Sequence, residues 1–380
     1  MKNKPMVSIV LPTYNGAKYL RESLDSILAQ TFQDWELIIV NDCSTDKTPQ
    51  IAEEYAKRDE RVRIIHNGVN QRLPESLNIG FRTALGKYLT WTSDDNRYLP
   101  TALARMVEEL DNNNDCPMVC ADMYYIDAKG NITGKAPGYD EYYMLSKDLI
   151  GACFLYRREL LDIVGEYDSS RVYVEDYDYW LRIYKHVGKI IRIPHVLYEY
   201  RAHNGSLTAT KMSEIRKQAV LLWSEYRKEF LNQYCNDKKV LCEMYYYFVM
   251  ANGRDKELAR DIEKLVPELA YENNGLLKDK NIFIFGSGDF GSRAVEMVKN
   301  NVIGFIDNDK NKIGTEKADL PIISFEEYCS KYKKQANILV AVSGSYIYEI
   351  IHQILTAGIG EYYTYQQLQL SNFVAGENLL

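Results

Sequence analysis

The chain has 380 residues, 46% of them hydrophobic, which is ordinary for a globular protein and long enough for two domains with separate cores. A formal net charge of -7 argues against broad electrostatic binding of nucleic acid or anionic lipid, while leaving room for a local basic patch that meets a phosphorylated substrate. Seven scattered cysteines without histidines at zinc-ligand spacing read as free thiols in a reducing compartment, and no apolar run approaches the ~18 residues of a membrane span.

The opening MKNKPMVSIVLPTYNG passes from charge into a strand pattern without a leader-type apolar region, so a cytoplasmic protein is expected. The sequons at Asn131-Ile132-Thr133 and Asn204-Gly205-Ser206 are then coincidental. In chain order, a strand over Val7 to Leu11 precedes a helix bearing Leu20, Leu24, Ile27 and Leu28. A strand over Glu36 to Val40, a helix through Ile51 and Tyr55, and a strand over Val62 to Ile65 follow. Helical spacing of Leu77, Phe81 and Leu85, a strand over Tyr88 to Thr92, and a helix from Leu103 to Leu110 continue the alternation. This pattern predicts an α/β domain with a mostly parallel sheet. Ligands bind beyond the carboxyl ends of such strands. The residues after them, Thr13-Tyr14-Asn15, Asn41-Asp42, His66-Asn67 and Ser93-Asp94-Asp95, are therefore expected to share one crevice.

The segment from about 117 to 205 is less regular, with strand-like PMVCADMYYID, a Gly/Pro/Tyr loop from Gly130 to Tyr143, GACFLYRREL and VYVEDYDYWLRIYKHVG. Lys211 to Tyr271 reads as helical, closed by the break Asn273-Asn274-Gly275. A second, smaller α/β unit begins with a strand over Asn281 to Phe285, then GSGDFG and a helix over Ala294 to Val298. It continues with a strand over Val302 to Ile306, a strand over Ile338 to Val342 and a helix over Tyr348 to Leu355. The expected division is 1–208, a helical connector 209–277, and a Rossmann-like unit 278–380.

Two acidic pairs carry chemistry. Asp94-Asp95 at a strand end suits a metal-bound diphosphate, because a diphosphate leaving group needs a hard cation for the charge developing on its oxygens. Glu175-Asp176 suits a base that takes a proton from a hydroxyl nucleophile. Sugar transfer from a nucleotide donor requires both.

The stretch VSIVLPTYNGAKYLRESLDSILAQTFQDWELIIVNDCSTDKT resembles the opening of the family 2 glycosyltransferases. The likeness continues through HNGVNQRLPESLNIGFRTALGKYLTWTSDDN, the Glu175-Asp176 pair and YRAHNGSLT, covering about the first 208 residues. It implies a GT-A fold, a nucleotide-sugar donor, a Mg²⁺ or Mn²⁺ ion, and a direct displacement that inverts the anomeric carbon. By position, it implies donor contacts at Thr13 and Tyr14, a base-binding carboxylate at Asp42 that favours uracil or thymine, and a second donor loop at Asn67 and Arg72. Asp95 would bind the metal, with Asp94 on sugar or ribose. Asp176 would be the base, Glu175 would orient the acceptor, and Arg201 and His203 would close over the diphosphate. The common acidic motif has a further Asp where this chain has Thr92, which leaves the division of labour between the two remaining carboxylates open. As a residue at a helix start, Asp176 is also a natural N-cap, and that placement is expected to favour its ionised form.

In the second unit, Gly286, Gly288 and Gly291 between strand and helix, with Asp307 ending the next strand, form a dinucleotide-type fingerprint. With GFIDND, Gly314 and LPIIS, this region resembles the nucleotide-sugar-binding unit of bacterial sugar acyltransferases. A second nucleotide site, an NAD site and a structural or docking role all remain open there. The expected protein is a metal-dependent inverting glycosyltransferase that uses a UDP-sugar and a saccharide or lipid-linked acceptor in surface polysaccharide or glycan assembly. It would act in the cytoplasm or at the inner membrane face, with peripheral membrane contact and homo-oligomerisation both open. The alternative is a noncatalytic nucleotide-sugar-binding protein of the same descent.

Overall fold

The apolar run at the start of the chain forms β1 (Val7–Thr13), buried along its whole length, as a strand covered on both faces must be. In the computed structural model, which describes residues 4–136, 138–250, 256–267, 281–298, 301–342, 346–360 and 362–365, the chain divides into two compact units, 1–218 and 219–380.

The first unit alternates β1, α1 (Leu20–Leu28), β2 (Trp35–Asn41), α2 (Thr48–Arg58), β3 (Val62–His66), α3 (Arg72–Thr83) and β4 (Tyr88–Trp91). It continues with β5 (Arg97–Tyr98), α4 (Ala102–Asn112), β6 (Met118–Ile126), β7 (Ile132–Lys135), β8 (Phe154–Arg157), α5 (Glu159–Val164), α6 (Glu175–Val187) and β9 (Ile191–Arg201). The sheet order is β3-β2-β1-β4-β8-β6-β9-β5, with β7 paired to β6. The first four strands are parallel, as expected. Beyond β4 the sheet departs from the mostly parallel prediction: β8 runs antiparallel to both β4 and β6, and β5 antiparallel to β9. Among these strands only β6 and β9 pair parallel.

The core joins Ile9, Leu11, Leu37 and Ile39 of the central strands to Leu20, Leu24 and Ile27 of α1 and Leu103 and Met106 of α4. Leu85, read as a helical position, is instead 51% exposed just past the end of α3. Its backbone N–H is held at 2.6 Å by the buried carboxylate of Glu36, which also accepts from Ser8 Oγ and Arg63, each at 2.6 Å. That network fixes how the chain enters β4. A Cβ on Gly86 would lie 2.5 Å from Ser8 N, so the entry needs glycine.

Helix α7 (Leu207–Glu225), interrupted at Lys211, contains the division between the units. It is followed by α8 (Arg227–Tyr234), α9 (Lys238–Met250) and α10 (Lys256–Leu265), where the helical pattern was read. The break at Asn273-Asn274-Gly275 lies outside the described residues. Then come β10 (Ile282–Phe285), α11 (Asp289–Val298), β11 (Val302–Ile306), β12 (Glu316–Lys317), β13 (Leu320–Ile323), α12 (Phe325–Lys331), β14 (Asn337–Val340), α13 (Tyr346–Thr356) and β15 (Tyr362–Thr364). The second sheet runs β12-β13-β11-β10-β14-β15, parallel except for the β12–β13 hairpin. Among the described residues, no helix is long and apolar enough to cross a membrane.

Candidate active site

The loops after β1, β2, β3 and β4 are stitched together by their own polar side chains. Asn15 Oδ1 accepts from Thr45 N at 2.8 Å and Asp46 N at 3.3 Å, while Asp46 Oδ2 accepts from Ala17 N at 3.2 Å. Thr13 Oγ1 donates to Asp94 Oδ2, and Ser23 Oγ donates to Ser93 O at 2.9 Å. Left-handed backbone at non-glycine residues gathers here, with φ of 56° at Asn15, 62° at Cys43 and 68° at Arg72. Such conformations are costly and cluster where a site imposes them.

Asp42 is 4% exposed and organises the β2 and β3 ends. Its Oδ1 accepts from Asn67 Nδ2 at 2.8 Å and Gln71 N at 2.7 Å, and its Oδ2 accepts from Arg72 N at 2.9 Å. A carboxylate has about four acceptor positions, so three bonds leave one on Oδ2 for a ligand N–H. Asn67 therefore acts through Asp42, and the exposed Arg72 presents its side chain at the start of α3. Tyr14 is 53% exposed, whereas Thr13 is buried with its hydroxyl committed to Asp94.

Asp94 is the tightest point. A Cβ on Gly16 would fall 1.8 Å from its Oδ2, so the β1 loop passes against the carboxylate only because residue 16 has no side chain. The surrounding protein pushes the Asp94 carboxyl up to about 7, opposed by the Thr13 bond and reinforced by the neighbouring Asp95 charge. Thr92, standing where the family has a further acid, is 1% exposed and hydrogen-bonds Tyr198 at 2.6 Å.

Asp95 Oδ2 meets His203 Nε2 at 3.1 Å, while His203 Nδ1 accepts from Gly205 N at 3.2 Å. The acceptor role of Nδ1 puts the ring proton on Nε2, facing Asp95. His203 thus orients Asp95, and coordination of an ion through Nε2 would require moving that proton and surrendering the Gly205 bond. Among the described residues, no set of three or more His, Cys, Asp or Glu side chains is arranged around a metal position. The residues fit an ion that takes one carboxylate oxygen from Asp95 and its other ligands from diphosphate and water, the habit of Mg²⁺-type cations at phosphate sites.

Arg201 departs from the expected donor contact. Its side chain is 0% exposed, and the guanidinium donates to Glu22 Oε2 at 2.6 Å, Asp95 O at 2.8 Å, Asp127 O at 3.3 Å and Ala128 O at 3.4 Å. It also lies 4.5 Å from the centre of the Tyr19 ring, which packs 5.0 Å from the His203 ring. A guanidinium so enclosed positions Asp95 and His203 and has no free face for phosphate.

On the opposite side, α6 begins at Glu175 with Val174 as its N-cap, and no side chain caps it. Asp176 is therefore inside the first turn rather than the cap. The approach to α6 is anchored to α3 by Asn78, whose amide donates to Tyr167 O at 2.8 Å and accepts from Tyr167 N at 2.9 Å. Asp176 also departs from the expected preference for the charged form. Burial raises its proton affinity, with the Tyr177 N–H only partly opposing the effect. Glu175 is 3% exposed, its Oε2 has no hydrogen-bond partner, and burial together with the Asp176 charge raises it as well. Asp178, also in the first turn, is buried and paired with Arg182 at 2.8 Å. Tyr200 of β9 joins the two sides: its phenol is raised first by burial and then by the charges of both Asp95 and Asp176.

In the second unit, Gly286 has φ 110° and a Cβ there would meet Ala341 O at 2.6 Å. A Cβ on Gly291 would meet Gly286 O at 2.1 Å, whereas one on Gly288 meets nothing within 4 Å. Asp307 accepts from Ser287 N at 3.1 Å, Ser287 Oγ, Asp309 N at 2.9 Å and Lys312 Nζ at 3.2 Å. Three of these bonds fall on Oδ2 and one on Oδ1, so the carboxylate is committed largely to its own loop, with one Oδ1 position left.

A parallel four-strand half-sheet with acids at its carboxyl edge, continued by antiparallel strands, defines the GT-A class of glycosyltransferase. The family model for glycosyl transferase family 2 matches residues 8–165. An uncharacterised glycosyltransferase of Methanocaldococcus jannaschii is 31% identical over 255 residues, covering 65% of this chain and 85% of the relative. One of Rickettsia typhi is 29% identical over 240 residues, covering 60% of this chain and 74% of the relative. The chain belongs to glycosyl transferase family 2. Among solved structures, Staphylococcus aureus TarS residues 1–349, in complex with UDP-GlcNAc, shares the fold. Its TM-score is 0.50 at 18% identity, over 70% of this chain and 92% of that one.

Sequence reasoning missed Gly16, Glu22 and Asp148. The first two are visible only through what they touch. Asp148, on the loop before β8, is raised by the protein around it and by the Asp176 charge.

Proposed function

We propose that the protein transfers a sugar with inversion from a uridine-diphosphate donor to a saccharide or lipid-linked saccharide during assembly of a surface glycan. The observation that carries this reading is the set of carboxylates at the strand ends of a family 2 fold, Asp42 with a free acceptor position on Oδ2 and Asp95 held by His203 at 3.1 Å. In this reading the nucleotide-binding groups lie at the strand ends and the proton acceptor at the start of α6.

The spare Oδ2 position of Asp42 accepts the imino N–H of uracil, and Tyr14 and Arg72 flank the nucleotide. Asp94 faces sugar or ribose hydroxyls. Asp95, held by His203 and Arg201, would ligate Mg²⁺ or Mn²⁺, which when bound neutralises the leaving diphosphate. Asp176 takes the proton of the acceptor hydroxyl as that oxygen bonds to the anomeric carbon. The bond from the anomeric carbon to the phosphate oxygen breaks on the opposite face, and its electron pair leaves with UDP. A base whose proton affinity is raised towards neutrality is better matched to a hydroxyl proton than an ordinary aspartate. The protein works in the cytoplasm or at the inner membrane face. The second unit is a structural or docking domain in this reading, because Asp307 closes its own loop.

The second reading, a noncatalytic nucleotide-sugar binder, draws on Thr92, whose bond to Tyr198 occupies the position of the family's additional acid. Incubating the full chain with UDP-, GDP- and dTDP-sugars, with Mn²⁺ or with EDTA, separates the two. Metal-dependent release of UDP above the protein-free rate supports transferase action. Donor binding without any nucleotide release, to water or to a saccharide panel, supports the second reading.

A further inference from the structure

Helix α1 turns one face to the acidic segment that follows β4. Ser23 Oγ donates to Ser93 O at 2.9 Å, Glu22 Oε2 accepts from the Arg201 guanidinium at 2.6 Å, and Ser26 Oγ accepts from Tyr98 N at 3.1 Å. In the N-cap position before them stands Tyr19, 6% exposed, its backbone N–H donating to Gly16 O at 3.1 Å. Positions 19, 22, 23 and 26 fall on one side of a helix of 3.6 residues per turn.

The Tyr19 ring is where the side chains that hold Asp95 meet. Arg201, which donates to Asp95 O at 2.8 Å, places its guanidinium 4.5 Å from the ring centre. The imidazole of His203, which meets Asp95 Oδ2 at 3.1 Å, packs on the same ring at 5.0 Å with 53° between the planes. Lys18 Nζ lies 4.7 Å from the centre as well. Cations are drawn to the face of such a ring, and tilted aromatic pairs at this separation attract. Hydrogen bonds at both His203 nitrogens, to Asp95 and to Gly205 N, fix the line that joins those two atoms and leave the imidazole free to swing about it. Contact with Tyr19 supplies the remaining constraint. The Tyr19 hydroxyl is buried and has no hydrogen-bond partner among the described residues, so the role falls to the ring.

We propose that Tyr19 is a positioning residue of the metal site. Its ring holds the His203 imidazole against the Arg201 guanidinium, and through both it keeps the Asp95 carboxylate in the orientation that receives the ion of the donor diphosphate. This rests on the transferase reading, from which it takes Asp95 as the ligand of the ion. A ring that only filled the core would not act on Mn²⁺ while leaving the base-binding end at Asp42 untouched.

The test uses the full chain as wild type, Tyr19→Phe, Tyr19→Leu and Asp95→Ala. Mn²⁺ binding is measured by electron paramagnetic resonance with UDP saturating, and UDP binding in EDTA by calorimetry. Tyr19→Leu should bind Mn²⁺ about tenfold or more weakly, the loss typical of a group that supports a metal ligand without touching the ion, with metal-free UDP affinity within about twofold of wild type. Tyr19→Phe should match wild type in both. Wild-type Mn²⁺ affinity in a folded Tyr19→Leu overturns the assignment, as does an equal loss of metal-free UDP binding, which is the mark of a merely structural role. A Tyr19→Phe variant as impaired as Tyr19→Leu overturns it too, because the hydroxyl would then be the working group. Should Tyr19→Leu not fold, NMR decides: the carbon-bound ring protons of His203, identified by their loss in His203→Gln, should be displaced by the Tyr19 ring current in wild type and in Tyr19→Phe alike, and undisplaced lines overturn the contact. If Asp95→Ala holds Mn²⁺ as tightly as wild type, the ion ligand of the transferase reading falls and this inference with it.

Discussion

Replacing Gly16 with alanine perturbs the site at its tightest contact. The new Cβ would lie 1.8 Å from Asp94 Oδ2 and 2.7 Å from Thr13 Oγ1, so reaching the 3.4 Å of ordinary contact requires the carboxylate or the loop to move by about 1.6 Å. That movement breaks the Thr13 to Asp94 bond, at a cost of ~1.5–3 kcal/mol for a hydrogen bond to a charged group. A shift of ~1 Å in a positioning group costs on the order of 10²-fold in rate. Gly68→Ala is the matched control, because a Cβ there meets nothing within 4 Å. UDP release from UDP-sugar and thermal unfolding are measured for both variants. The expected result is a loss of about a hundredfold in turnover for Gly16→Ala, with a folded protein and a near-unchanged Gly68→Ala. Wild-type turnover in a folded Gly16→Ala would refute the claim that the approach to Asp94 is what the site needs.

Two further outcomes follow from buried charge. The Glu175 carboxyl is raised from 4.5 in the folded protein, so it binds its proton more tightly folded than unfolded; its contribution to stability is complete below pH ~4.5 and is lost as pH rises through the folded value near 8. Glu175→Gln cannot ionise, and denaturant titrations should show it losing less stability than wild type between pH 5 and pH 8.5, by on the order of 2 kcal/mol; parallel pH curves would contradict the assignment. Arg201→Lys keeps the charge but cannot satisfy Glu22 and three backbone carbonyls together, so urea unfolding should show a loss of ~3 kcal/mol, with stability equal to wild type as the contrary result.

The strand ends were legible because they are punctuated: mostly apolar, fully buried runs such as β1 and β2 stop at short polar segments, and a parallel half-sheet brings those segments to one edge. The order of β8, β6 and β9 was not legible, since antiparallel pairing there is decided by long-range register rather than local pattern. The same limit hid the behaviour of individual side chains. Arg201 reads as a phosphate ligand in YRAHNGS, and only the packing of Glu22, Asp127 and Ala128 around it shows its guanidinium to be used up. A helix-start position for Asp176 suggests a stabilised charge, but burial outweighs the helix contribution and the Tyr177 N–H. Asp148 itself belongs to no local motif, and it becomes notable only when the loop before β8 is folded against α6.

The central claim is that donor binding and proton acceptance are separate tasks on two sides of one crevice, with Asp176 serving only the second. The most direct measurement compares Asp176→Asn with wild type for UDP-sugar affinity by calorimetry and for turnover by UDP release. Donor affinity within about twofold and turnover reduced by roughly 10²–10⁴, the usual contribution of a positioned base, is the result the account predicts. Turnover equal to wild type, or loss of donor binding in step with turnover, would contradict it.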